Sequence, residues 1–268
     1  MAFPFTTTDD LFDYMIDEMM AEKLGDDNQS DLSISSVHTA DLSDFDPHDF
    51  DEGEWSDIVF DRKPEPFTSY VGPKIPLGLD AKPVDYFFQL FPKSSIEEIV
   101  LQTNLYAEQQ GAINFEKTSV DEIRAYIGML FLMGINQTPN YRCYWSTKKE
   151  LRYPPIADVM SRNRYEQLTR YFHLNDSTKN PPRGSPGHDK LHKVRPILEN
   201  AKRKFPEHYE PHMNIAVDEA MIKYKGRCPF IQYVPSKPSK WGIKAWGIAD
   251  SNTYYLLDFN IYVRKEKK

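Results

Sequence analysis

Asp218 and Glu219 are the residues of this chain whose type and setting most invite chemistry. They lie in NIAVDEAMIKYKGR, residues 214–227, with Ile215, Ala216 and Val217 before them and Ala220, Met221 and Ile222 after. A carboxylate inside an apolar, strand-like run is costly to bury without a partner, a metal or a shifted pKa. Magnesium takes hard oxygen ligands of this kind. Two such ions about 4 Å apart activate water or a 3′-hydroxyl and steady a leaving oxygen. The plainer reading is an Asp paired with a nearby Lys or Arg, and one Asp-Glu pair does not decide between the two.

The following stretch adds weight. From Lys223 to Lys244 there are six basic residues, Lys223, Lys225, Arg227, Lys237, Lys240 and Lys244, and no acidic one. Aromatic residues and prolines stand between the charges. Cations for phosphates and aromatic faces for bases suit DNA. A solvated basic hairpin is the alternative.

These residues need elements to hold them. After Pro211 the apolar period shortens from about 3.6 to 2, which predicts strands at Asn214–Tyr224, Trp241–Ala249 and Tyr254–Val263, with a turn at Asp250-Ser251-Asn252. The strands are expected as antiparallel neighbours. A carboxylate at the middle of a first strand followed by two antiparallel strands suits the ribonuclease-H-like fold. Upstream, residues 83–212 read as helical. Ser95-x-x-Glu98 and Ser119-x-x-Glu122 have the form of capping boxes. The second opens a helix that places Ile123, Ile127, Leu130 and Phe131 inside. A third helix is expected from Ser161 to His173, burying Tyr165, Leu168 and Phe172 and carrying Arg162, Arg164 and Arg170 on its other positions. A fourth is expected near Asp189–Phe205, with Pro196 kinking it or marking its true first turn.

Charge is segregated. The net charge is −7, yet residues 1–60 hold 17 of the 40 acidic residues and one of the 33 basic ones, so the rest carries 23 acidic and 32 basic residues. An acidic tail on a basic body recurs in nucleic-acid-binding proteins. Residues 1–65 are Asp- and Ser-rich and are expected to be disordered, with a short acidic helix at 9–24 as one possibility. Residues 66–82, rich in Pro, read as a linker. Two cysteines, Cys143 and Cys228, give no disulfide or zinc pattern. No signal peptide or membrane span is read.

The run VDEAMIKYKGRCPFIQYVPSKPSKWGIKAWGIADS resembles the piggyBac transposase family. It carries Asp218-Glu219, Lys225-Gly226-Arg227, Tyr233-Val234-Pro235-Ser236-Lys237-Pro238, Gly242, Lys244 and Asp250-Ser251 in the family's order. PVDYFFQLF at 83–91, EIRAYIGMLFLMGI at 122–135 and RYEQLTRYFHLND at 164–176 agree as well. The resemblance implies an α+β chain with a helical dimerisation and DNA-binding domain at 83–212 and part of a ribonuclease-H-like transposase domain at 213–268. It implies a metal-dependent DNA transposase lineage, magnesium as the metal, a nuclear location and Asp218 as the first of three metal-binding aspartates. No small-molecule cofactor is expected.

The family's other two aspartates lie beyond the third strand. After Glu219 the chain has only Asp250, Asp258 and Glu266 among acids, none of which matches that pattern. The expectation is therefore a truncated, catalytically incomplete chain that binds DNA through Lys223, Lys225, Arg227, Lys237, Lys240, Lys244, Arg162, Arg164 and Arg170. It is expected to form a homodimer or to dimerise with related transposase chains. Two alternatives stay open: an active transposase completed by another chain or a longer isoform, and a protein-interaction module acting through the acidic N-terminus.

Overall fold

The computed structural model describes residues 66–75, 77–78, 80–224 and 226–263. The expected disordered tail and acidic helix, and Lys225, lie outside the described residues. Among the described residues six α-helices precede the main sheet: α1 (Pro83–Leu90), α2 (Lys93–Gln109), α3 (Val120–Ile135), α4 (Pro154–Ala157), α5 (Arg162–Tyr171) and α6 (Arg195–His208).

α3 is apolar on most sides and forms the centre of the helical part. Ile123, Met129 and Leu132 are buried on it, against Ile96 and Ile99 of α2, Ile156 of α4 and Leu168 of α5. Its Ser119 N-cap accepts a hydrogen bond from the Glu122 amide, as expected. Glu122 does not complete the box: its carboxylate turns to Thr118 and Arg164 instead. Leu130, expected inside, is exposed. The box expected at Ser95 is not used, because α2 starts at Lys93 behind Pro92. The helix expected from Ser161 starts there, and Ser161 caps α5 by accepting from the Arg164 amide. Pro196 occupies the first turn of α6, where its missing N–H costs nothing, so residues 190–194 form turns and the helix starts later than the apolar spacing predicts.

The expected linker is tied down. Within it, β1 (Gly72–Pro73) pairs antiparallel with β2 (Tyr209–Glu210), and Lys74 Nζ lies 2.7 Å from the Glu210 carboxylate. The main sheet has β3 (Ile215–Lys223), β4 (Ile231–Tyr233), β5 (Trp241–Asp250) and β6 (Leu256–Ile261). β5 is central. It pairs antiparallel with β3 along one side, and with β4 and then β6 along the other. The three expected strands are present; β4 is a fourth, unexpected one. Helix α6 reaches this sheet through Phe205, whose ring meets Tyr255 and Phe259. Tyr209 stacks on Tyr255 at 4.4 Å.

Gly242 permits the long β3–β5 pairing. A Cβ there would lie 2.5 Å from the Ile222 carbonyl oxygen, closer than any side chain tolerates.

Candidate nucleic-acid interface

Successive strand side chains point to opposite faces, so Asp218 and Glu219 part company. Asp218 stands opposite Gly247, between Ala216 and Ala220, and Glu219 stands opposite Trp246. Asp218 is exposed, and one of its oxygens accepts from the Glu219 amide at 2.7 Å. The expected burial penalty is absent, because the face of β3 that carries Asp218 is uncovered among the described residues: Ala216 and Ala220 on it are exposed too. Val217 and Ile215 beside it are 63% and 52% exposed.

Glu219 is engaged by lysines. Its carboxylate lies 2.7 Å from Lys244 Nζ and 3.8 Å from Lys237 Nζ, and Lys237 also donates to the Glu219 carbonyl at 3.1 Å. Lys244 sits over the Trp246 ring at 4.8 Å. Among the described residues no three His, Cys, Asp or Glu side chains are grouped closely enough to hold a metal ion. Asp218 and Glu219 face apart, and Asp250 is engaged elsewhere. These carboxylates alone do not fit a magnesium site, which needs several convergent oxygens.

Asp250, expected in the turn after β5, is that strand's last residue and is fully buried. Burial would raise its pKa. Hydrogen bonds from the His212 amide and ring and from the Thr253 and Asn252 amides outweigh that and hold it well below the usual carboxylate range. It pins the β5–β6 turn to the entry of β3. This role escaped the sequence reading, although an Asp followed by Ser-Asn is a turn-capping signal.

The remaining basic residues fall into two groups. Lys223, Arg227 and Lys240 are exposed around the β3–β5 connection. On α5, Arg162 and Arg170 are also exposed; Arg162 lies 3.8 Å from Glu166, and Arg170 leans on the Tyr171 ring. Arg164 does not share their setting. Its guanidinium makes a two-pronged bond to Glu122, with both distances 2.6 Å, donates to the Glu116 carbonyl and covers Phe115. Burial raises the Glu122 pKa, and Arg164 and Thr118 pull it below the usual range on balance. Arg164 ties α5 to α3 and is not available to a phosphate.

The comparisons with known proteins bear directly on this arrangement. The family model described as Transposase IS4 matches residues 82–268. The chain belongs to this transposase family, in its piggyBac-type branch. PiggyBac transposable element-derived protein 2 of Homo sapiens is 29% identical over 66% of this chain and 29% of its own length. PiggyBac transposable element-derived protein 5 of Homo sapiens is 26% identical over 79% of this chain and 40% of its own length. The fold matches a chain from the cryo-EM structure of the piggyBac transposase synaptic complex with hairpin DNA, at 28% identity and a TM-score of 0.65, over 74% of this chain and 42% of that one. This transposase-family chain thus spans less than half the length of these relatives. No helix among its described residues is long and apolar enough to cross a membrane.

Proposed function

We propose that this piggyBac-type chain is a DNA-binding protein whose described residues do not cut DNA by themselves. The observation that carries the reading is the basic connection between β3 and β5. Lys223, Arg227 and Lys240 are exposed there, and Glu219 on the adjoining face is neutralised by Lys244 and Lys237. Arg162 and Arg170 on α5 are further exposed cations. A helical region at 83–212 that dimerises and grips DNA, and a ribonuclease-H-like arrangement of β3–β6, complete the reading. Both draw support from the fold match to a transposase solved with hairpin DNA. A nuclear location follows from such a role.

Asp218 is assigned as the first metal-binding aspartate of the lineage. Its exposed position on the open face of β3 leaves room for carboxylates from elsewhere to converge on it. Activity is therefore expected only in a mixture with a longer relative or in a longer form of the chain.

Fluorescence anisotropy of a labelled duplex with the full chain tests the binding. About four phosphate contacts predict roughly a hundredfold loss of affinity between 50 and 200 mM salt. Affinity that stays level over that range contradicts the reading. Magnesium added to the chain alone is expected to give no nicked product; nicking that vanishes in Asp218→Ala would contradict the catalytic part.

A further inference from the structure

The connection between β3 and β5 holds more than charge. Tyr224, Gly226, Ile231 and Trp241 line a cleft of about 840 Å³, with Lys223 and Lys240 at its rim. That volume is in the range of sites that hold small molecules. Trp241 and Tyr224 are 59% and 40% exposed, so both side chains keep aromatic surface open at the cleft. Trp241 meets Tyr233 across the β4–β5 pair, ring centroids 4.8 Å apart and the rings tilted at 46°, and keeps much of its surface open.

Gly226 also lines the cleft. A Cβ at this position would collide with the ring of Tyr224. The absence of a side chain lets that ring lie close over the loop backbone.

We infer that this cleft is a stacking slot for an unpaired nucleobase of a DNA strand. The inference rests on the proposed DNA binding and makes it specific. A base inside a duplex already has both faces covered by its neighbours, so exposed aromatic faces offer it nothing. An unpaired or extruded base has a free π-face, and stacking on Trp or Tyr stabilises it regardless of its identity. The rim lysines meet the flanking phosphates. No acidic residue lies between Lys223 and Lys244 to repel them. An apolar peptide would gain nothing from that rim, so charge favours the nucleotide.

The slot selects for distorted DNA, not for sequence. It gives the chain a preference for bulges, hairpin tips or frayed ends over intact duplex.

The test compares two labelled oligonucleotides with the full-length chain. One is a plain duplex; the other is the same duplex with a single unpaired 2-aminopurine, whose fluorescence is quenched on stacking. The slot predicts about tenfold tighter binding of the bulged form and a quench on binding. Trp241→Ala abolishes the quench and the preference and leaves plain-duplex affinity within about twofold. Gly226→Ala, which displaces Tyr224 without removing charge, weakens both. Thermal melting of each variant checks that it is folded. Duplex binding without quench or preference overturns the slot and leaves the DNA-binding reading intact. Quench and preference that survive in folded Trp241→Ala also overturn it. Failure to bind either oligonucleotide overturns both readings.

Discussion

Glu219 Oε2 lies 2.7 Å from Lys244 Nζ, on the opposite face of the sheet from the neighbouring Asp218. Two carboxylates adjacent in sequence are thereby given different work. Glu219 offsets charge in the basic region, and Asp218 stays open to solvent. Glu219→Gln removes the carboxylate that faces Lys244 and Lys237 and frees both for phosphate. Duplex affinity at low salt is expected to rise about threefold, and stability to change by less than about 1 kcal/mol, since the pair is partly exposed. Anisotropy and urea denaturation measure the two. A loss of affinity would show that Glu219 positions the lysines for DNA.

Arg164 and Arg162 are two residues apart on α5 and should behave differently. Arg164→Ala strands the Glu122 carboxylate and is expected to cost about 2 kcal/mol in urea denaturation. Arg162→Ala, at an exposed position, should stay within about 0.5 kcal/mol. Glu122→Gln combined with Arg164→Ala should cost less than the sum of the single changes, the sign of a direct pair.

His173 makes stability depend on pH. Burial, and secondarily the charge of Lys193, push its pKa below the ordinary histidine value. It stacks on Tyr106 at 3.7 Å, and its Nε2 lies 2.8 Å from the Ser177 hydroxyl. The unfolded chain therefore binds a proton first, so stability is full above the unfolded value, about 6.5, and is lost as pH falls toward the depressed folded value. The melting temperature is expected to drop between pH 7.5 and 5.5. That drop should shrink in His173→Gln; an identical drop would place its source elsewhere.

Gly242→Ala puts a methyl against the Ile222 carbonyl and should cost about 2 kcal/mol, with β3 amides losing hydrogen-exchange protection ahead of the helices. Uniform loss across the whole chain would show that the sheet and the helical part unfold as one unit.

Local signals in the sequence carried much of this structure. Ser119 was readable as a cap, and Ser161 as a helix start, because the serine and the apolar period coincide. Pro196 left a kink and a first turn as the two readings, and it occupies the first turn. Ser95 misled because Pro92 already sets the start of the helix at Lys93, which leaves the serine inside the first turn. Pairings across long separations left no local trace. Arg164 and Glu122 are 42 residues apart, and β1 meets β2 through two residues each. Strand β4 is three residues inside a basic loop, too short for a period to register. The exposure of Asp218 was not legible, because alternation along β3 does not reveal whether a face is covered.

The central claim is that Lys223, Arg227 and Lys240 hold DNA phosphates. The most direct measurement is the dependence of duplex affinity on salt for the full chain and for the variant with all three changed to Ala. Removing one phosphate-binding cation should lower the magnitude of the log–log slope by about one, so the account predicts a decrease of about three with the fold intact. An unchanged slope and affinity in the folded variant would contradict it.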